Sequence, residues 1–153
     1  MLCDVLNRIA DKPPAVTLSE DCIRYLRDHE IPDDIIADLA ASSYADWIQV
    51  GPLMLLPISQ IIEQTTGISR CIENGFLPLA GGANGDPVVM DRRTRRMLFV
   101  SHEILWDRRL TEFSKCLHAT PFRYEEFWEA AVSDESFPWD YYEAQTRWPH
   151  ERL

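Results

Sequence analysis

The stretch FLPLAGGANGDPVVMDRRTRRMLFV, residues 76–100, decides the expected fold of this 153-residue chain. It contains three apolar runs, which are separated by the glycine-rich residues 81–86 and the arginine-rich residues 92–96. Short apolar runs joined by turn-forming residues are typical of antiparallel strands, because parallel strands need long crossover connections. We therefore predict a β-meander over about residues 72–103.

The segment before this meander combines strands with a helix. Residues 47–50 and 53–56 are two extended runs that flank Gly51-Pro52, and this arrangement predicts a pair of strands. Pro57 is expected to open a helix, with Gly67 placed to end it. We therefore predict mixed strand and helix over residues 47–67.

Helices are predicted at both ends of the chain. Thr17 and Glu20 have the spacing of a capping box, and apolar residues then recur at helical intervals through about residues 17–42. Thr120-Pro121 resembles a helix cap followed by a first-turn proline, and apolar residues recur at i, i+3, i+4 and i+7 from Tyr124. The segment 102–119 has no assignable pattern.

These elements predict a single α+β domain over residues 1–153. A central antiparallel sheet of about four to six strands, the common sheet size, is expected between N-terminal helices and a C-terminal helix with an acidic, aromatic tail over about residues 120–153. The composition, 46% hydrophobic and 26% charged, is that of one folded domain.

The sequence favours a soluble, cytoplasmic protein. The N-terminal residues lack the pattern of a secretory signal, and the longest apolar stretch, residues 53–62, is far shorter than the about 20 residues that span a bilayer. The four cysteines include no C-x-x-C pair, so we expect free thiols rather than disulfides or metal ligands. The histidines also lack metal-binding spacing, so no metal site is predicted.

Negative charge is concentrated near the C-terminus. The chain carries −10 in total, and residues 124–146 contain seven acids with no Lys or Arg. Such a surface either meets a basic partner or simply stays hydrated, and it disfavours direct binding of nucleic acid. Together with two tyrosines, these acids form the predicted partner-binding surface: Glu125, Glu126, Glu129, Asp134, Glu135, Asp140, Tyr141, Tyr142 and Glu143.

The aromatic side chains of the tail have two interpretations. Exposed Trp and Tyr beside charged residues are enriched at protein interfaces, but such rings also pack back over a core. Packing is favoured for Trp139, whereas Tyr141 and Tyr142 are compatible with either role.

Three further patterns in the sequence bear on possible chemistry. The glycine-rich segment matches no phosphate-binding motif, so Gly81, Gly82, Gly85 and Asp86 are interpreted as a structural turn. The arginine-rich loop is interpreted as solvated, with a salt-bridging surface as the alternative. Strand pairing can bring together four potential acid/base residues of a small hydrolase, namely Asp86, Asp91, His102 and Glu103.

Residues 74–91, NGFLPLAGGANGDPVVMD, followed by residues 97–103, MLFVSHE, resemble the SUKH superfamily. That superfamily includes fungal SMI/KNR-type cell-wall regulators and bacterial immunity proteins. Its members show an apolar strand containing a proline, a glycine-rich turn ending in Gly-Asp, and two further strands ending near His-Glu. A closing helix with an aromatic pattern follows, similar to residues 122–132 here.

The resemblance implies a bacterial immunity protein that neutralises a toxin, often a nuclease, by direct binding. It implies no cofactor and no catalysis, and it gives Gly85 and Asp86 a structural role in the turn. Two alternatives remain open. One is a regulatory adaptor or scaffold of the SMI/KNR type, and the other is the small hydrolase.

Overall fold

The centre of the molecule is a six-stranded antiparallel sheet whose strands lie side by side in sequence order. The computed structural model describes residues 1–63 and 66–153. The strands are β1 (Ile48–Val50), β2 (Leu53–Leu55), β3 (Phe76–Gly81), β4 (Pro87–Asp91), β5 (Arg96–Val100) and β6 (Leu117–Arg123). Each strand pairs with the one before it, which confirms the predicted meander and the predicted pair of strands around Gly51-Pro52.

Helices lie before, between and after the strands. They are α1 (Leu2–Leu6), α2 (Glu20–Asp28), α3 (Asp33–Ala41), α4 (Thr66–Glu73), α5 (His102–Leu105), α6 (Tyr124–Ser133) and α7 (Tyr141–Arg147). Two 3-10 helices, Ile58–Ile62 and Phe113–Cys116, complete the described elements. Helices at both ends of a central antiparallel sheet confirm the predicted α+β fold class.

The sheet buries apolar side chains on both faces, because successive side chains of a strand point to opposite sides. On one face, residues such as Val88 and Phe99 join the main core with α1, α2, α3, α6 and α7. On the other face, Val89 and Leu98 belong to a smaller cluster that includes residues of α4 and α5. Met54 of β2 lies between the core residues Leu53 and Leu55, so it points away from the main core and is exposed.

Two helix predictions in the N-terminal half are wrong. The cap of α2 is Ser19, whose hydroxyl accepts a hydrogen bond from the Cys22 N–H at 3.1 Å, so Thr17 and Glu20 do not form the capping box. The helix expected from residue 57 to Gly67 is instead a 3-10 helix that ends at Ile62, and Gly67 lies within α4. Residues 64 and 65 of that prediction lie outside the described residues.

The predicted helix start at Thr120-Pro121 is also wrong, because both residues lie in β6 and α6 begins at Tyr124. The Thr120 hydroxyl donates a hydrogen bond to the Met97 carbonyl at 2.9 Å and accepts one from the Phe122 N–H at 3.2 Å. It therefore satisfies the backbone of the sheet rather than capping a helix. The unassigned segment 102–119 contains α5, a 3-10 helix and the start of β6.

The arginine-rich loop between β4 and β5 is a salt-bridging surface, so the favoured solvated interpretation is wrong for most of it. Three of its four arginines pair with carboxylates of other elements: Arg92 with Glu30, Arg95 with Asp34 and Glu125, and Arg96 with Glu151. The loop therefore joins the sheet to α3, α6 and the C-terminal residues.

Candidate protein-binding surface

The glycine-rich turn between β3 and β4 needs glycine at two positions. Gly85 has a φ of +90°, a conformation that side chains with a Cβ rarely adopt. A Cβ on Gly82 would lie 1.8 Å from the Trp139 carbonyl oxygen, so the turn touches the backbone just before α7. The turn therefore brings the end of β3 against the C-terminal part of the chain.

Replacing Gly82 with alanine is expected to lower the free energy of unfolding by about 1–3 kcal/mol, because a backbone segment must move to admit the new methyl group. Gly81→Ala is the matched control, since its Cβ would meet nothing nearer than 3.9 Å. Urea denaturation of both variants measures the difference. Equal losses for the two variants would contradict the close approach at Gly82.

Asp86 is the buried centre of this region, with 1% of its surface exposed. Its carboxylate accepts hydrogen bonds from the first backbone N–H of α5, at His102 (3.0 Å), and the first backbone N–H of α7, at Tyr141 (2.9 Å). It also accepts from the Asn84 side-chain amide at 3.0 Å and contacts His102 Nδ1 at 2.6 Å. One carboxylate thus fixes the starts of two helices and the turn that precedes β4.

These hydrogen bonds determine the charge of Asp86. Burial alone would raise the pKa of Asp86, but the hydrogen bonds from the backbone of His102 and Tyr141 and from the side chains of His102 and Asn84 outweigh it. They hold the pKa below its ordinary value. The carboxylate is therefore ionised at neutral pH, and its oxygens are already occupied by structural donors.

The lowered pKa predicts how stability depends on pH. A folded-state pKa below the unfolded value of 3.8 makes Asp86 stabilising above that value, and the contribution is lost as the pH falls through the folded pKa. The difference in unfolding free energy between the wild type and Asp86→Asn should therefore shrink on acidification below about pH 4. Urea denaturation across pH 2–7 measures it, and a constant difference would contradict the lowered pKa.

The residues considered for acid/base chemistry do not gather at one place. Asp86 contacts His102, but Asp91 lies at the other end of β4, about 16–17 Å away at the usual rise per residue. Asp91 accepts hydrogen bonds within its own turn, from the Arg93 N–H and the Thr94 hydroxyl, both at 2.9 Å. In the described part of the chain, no three His, Cys, Asp or Glu side chains are arranged to hold a metal ion.

The cysteines add no activated nucleophile to this region. All four are free thiols, and Cys22, Cys71 and Cys116 are buried. Burial raises the pKa of Cys71 to about 12 and that of Cys116 to about 11. These thiols are therefore protonated at neutral pH and behave as small apolar side chains.

Three of the seven acids predicted to form a negative surface are paired with arginines: Glu125 with Arg95, Glu129 with Arg8, and Asp134 with Arg147. Hydrogen bonding to the Arg8 guanidinium lowers the pKa of Glu129. Glu126 and Glu135 are exposed and form no ion pair among residues 1–63 and 66–153. The surface of α6 therefore carries less net charge than its sequence indicates.

The acids at the starts of α5 and α7 keep an uncompensated charge. Asp140 accepts a hydrogen bond from the Glu143 N–H at 2.8 Å, and the Glu143 carboxylate accepts one from the Trp139 N–H at 3.3 Å. Glu103 accepts a hydrogen bond from the Tyr142 hydroxyl at 3.0 Å. Within the described residues, Glu103, Asp140 and Glu143 form no ion pair with a basic side chain. We name these three residues the acidic rim.

The aromatic tail is divided between the core and the surface. Phe137 and Tyr141 are buried, so Tyr141 offers little surface to a partner. Trp139 and Tyr142 are each 49% exposed, and the prediction that Trp139 packs onto the domain is therefore wrong. The contact at Gly82 involves the backbone of Trp139 and not its ring. Tyr142, which is bonded to the acidic rim, remains available for contact.

An apolar groove of about 350 Å³, which sequence reasoning missed, meets the acidic rim at α5. Its lining includes Trp47, Met54, Pro78, Leu105 and Trp106, and His102 is the one ionisable residue among the described lining residues. Trp47, Met54 and Trp106 are 42%, 38% and 69% exposed. The alternation of side chains along a strand predicts that Met54 of β2 points away from the core. Trp106 lies in the segment 102–119, for which no sequence pattern predicts a structure.

No family model, curated protein or solved structure matches this chain. Among the described residues, we find no helix with the length and apolar character needed to cross a membrane.

Proposed function

We propose that this chain is a cytoplasmic bacterial immunity-type protein, which neutralises a toxin by direct protein–protein association without a cofactor and without catalysis. The observation that carries the proposal is the acidic rim. Its three carboxylates have no basic partner in the described part of the chain, whereas two of the three acids on α6, Glu125 and Glu129, are paired with arginines. The resemblance of residues 74–103 to the SUKH superfamily supports an immunity role.

A basic nuclease is the expected partner. A nuclease must present a positively charged groove to the phosphates of its substrate. An acidic protein that occupies this groove matches its charge, excludes the substrate and associates rapidly through electrostatic steering. The total charge of −10 acts in the same direction at long range.

The proposal is tested by producing this protein with the nuclease region of a toxin encoded next to its gene. We expect the two proteins to co-purify and the nuclease to lose its activity on DNA or RNA when this protein is in excess. Nuclease activity that persists at saturating concentrations of this protein would contradict the immunity role. Binding of a protein that is not a toxin would instead identify a regulatory adaptor.

Charge reversal at the acidic rim is expected to slow association with the basic toxin. The double variant Glu103→Lys/Glu143→Lys should associate on the order of tenfold more slowly at low salt, because steering by the local field is weakened. The difference should diminish at high salt, where exposed charges are screened. Stopped-flow tryptophan fluorescence at both salt concentrations measures the rates.

A control with the same change in charge separates the rim from the total charge. Glu20→Lys/Asp28→Lys alters two exposed acids of α2, on the main-core side of the sheet. If this control slows association as much as the rim variant does, the total charge of the protein and not the rim governs the encounter.

One observation favours the hydrolase as a second candidate, namely the contact between Asp86 and His102 at 2.6 Å. A carboxylate that orients an imidazole is a common arrangement for a general base. If the protein is a hydrolase, it must show a measurable hydrolytic turnover. The variant His102→Ala must abolish this turnover while the protein stays folded. Turnover that survives in His102→Ala would exclude this residue as the base.

A further inference from the structure

We propose that the apolar groove receives a bulky apolar side chain of the partner protein, and that a lysine or arginine beside that side chain reaches the acidic rim. This inference deepens the proposed function, on which it rests, because it specifies the contact surface and the chemistry of the same partner.

The groove has the composition of an interface centre. Trp47 and Trp106 line it and are partly exposed, and Met54 of β2 lines it from the face of the sheet opposite the main core. Tryptophan and methionine are enriched at interfaces, and tryptophan is among the residues that contribute most to binding. The volume of 350 Å³ is near the lower end of the range of ligand pockets, about 300–1,000 Å³. It therefore suits one large side chain.

His102 supplies a fixed polar contact within the groove. Its Nδ1 is held 2.6 Å from a carboxylate oxygen of Asp86, which is ionised at neutral pH, so this nitrogen carries the shared proton. Nε2 has no partner among the described residues, so it is available for a hydrogen bond to a partner protein. A backbone group or hydroxyl next to the inserted side chain can form this hydrogen bond. The groove therefore satisfies a polar group that the interface would otherwise bury unpaired.

The groove and the acidic rim meet at α5. His102 and Trp106 line the groove, while Glu103, the residue directly after His102, belongs to the rim. Tyr142 links Glu103 to the start of α7, where the other two rim residues lie. A partner residue in the groove therefore places its neighbours beside three carboxylates that form no ion pair among the described residues. This charge complementarity selects a partner with Lys or Arg next to the apolar side chain.

Charge also argues against a second copy of this chain as the occupant. Two copies that meet at this groove would each carry a net charge of −10, and their acidic rims would lie close together. Like charges brought close together oppose association. A small apolar molecule would fill the groove without engaging the rim. A basic protein uses both parts of the surface.

The test uses the full-length protein as the target for selection from a library of phage-displayed random peptides. We expect enrichment of peptides with an aromatic or large aliphatic residue next to Lys or Arg. A selected peptide should bind Met54→Asp and Trp106→Ala about tenfold or more weakly than the wild type, as expected for residues central to an interface. Val132→Asp, which changes an exposed apolar residue of α6, is the matched control and should bind normally.

Several outcomes would overturn the inference: no enrichment, enrichment of apolar peptides without basic residues, or equal binding by the groove variants and the control. Thermal unfolding of each variant ensures that lost binding does not reflect lost folding. Failure here differs from failure of the proposed function. If the groove variants still bind and neutralise the toxin normally, the immunity role stands, but the toxin contacts another surface of this protein. If peptides bind the groove but the toxin is not neutralised, the groove is still a protein-binding site and the immunity role is excluded.

Discussion

Replacing Asp86 with alanine is expected to lower the free energy of unfolding by about 3–5 kcal/mol. The substitution removes the acceptor for the backbone N–H groups of His102 and Tyr141, and the second of these hydrogen bonds is buried. It also leaves the His102 ring and the Asn84 amide without their carboxylate. The starts of α5 and α7 would both lose their attachment to the turn before β4.

Asp91→Ala is the control for this prediction. Asp91 is also an aspartate at a strand end, but among the described residues its carboxylate bonds only within its own turn, to the Arg93 N–H and the Thr94 hydroxyl. Its loss should cost about 1 kcal/mol, as for an ordinary hydrogen bond. Urea denaturation at neutral pH measures both variants. A loss at Asp86 no larger than at Asp91 would show that the carboxylate does not hold the two helices.

A second buried carboxylate, Asp38 of α3, is expected to have an effect of similar size. It accepts hydrogen bonds from the backbone N–H groups of Leu2 (3.0 Å) and Cys3 (3.2 Å), and from the Tyr124 hydroxyl at 2.6 Å. One side chain thereby joins α1, α3 and α6. Asp38→Ala leaves three donors without their acceptor, and we expect a loss of about 3–5 kcal/mol.

Asp34→Ala is the matched control for Asp38 because it changes the same residue type on the same helix. Asp34 is exposed and pairs with Arg95 on the surface, where such pairs contribute about 0–1 kcal/mol. Hydrogen exchange adds a local measurement, since Asp38→Ala should release the amides of α1 more than those of β4. Uniform loss of protection across the chain would contradict a specific attachment of α1.

The sheet was predictable from the sequence because its strands are consecutive and are marked by local turn chemistry. The glycine-rich and arginine-rich turns show where β3, β4 and β5 begin and end, and Gly51-Pro52 does the same for β1 and β2. The failure at Thr120 has a clear cause. A threonine before a proline suits a helix cap, but the hydroxyl here bonds the neighbouring strand, and no local pattern reveals that neighbour.

The candidate site was predictable only in part, because its electrostatics depend on residues far apart in the chain. The acids near the C-terminus were recognised, but Glu129 is neutralised by Arg8, which lies 121 positions earlier. The sequence pattern suggests an acid/base role for Glu103, whereas in the structure Glu103 accepts a hydrogen bond from Tyr142 and belongs to the acidic rim. The groove was not predicted because it lies between Met54 of β2 and residues of α5, and no sequence pattern identifies α5.

The sequential order of the strands has a consequence for biosynthesis. Each strand finds its partner in a segment already made, so the sheet can grow by one strand at a time as the chain leaves the ribosome. The first helix contacts α3, which is made soon after it, and also α6, which is synthesised much later. We therefore expect the N-terminus of the nascent chain to be only partly docked, through α3, until translation is nearly complete.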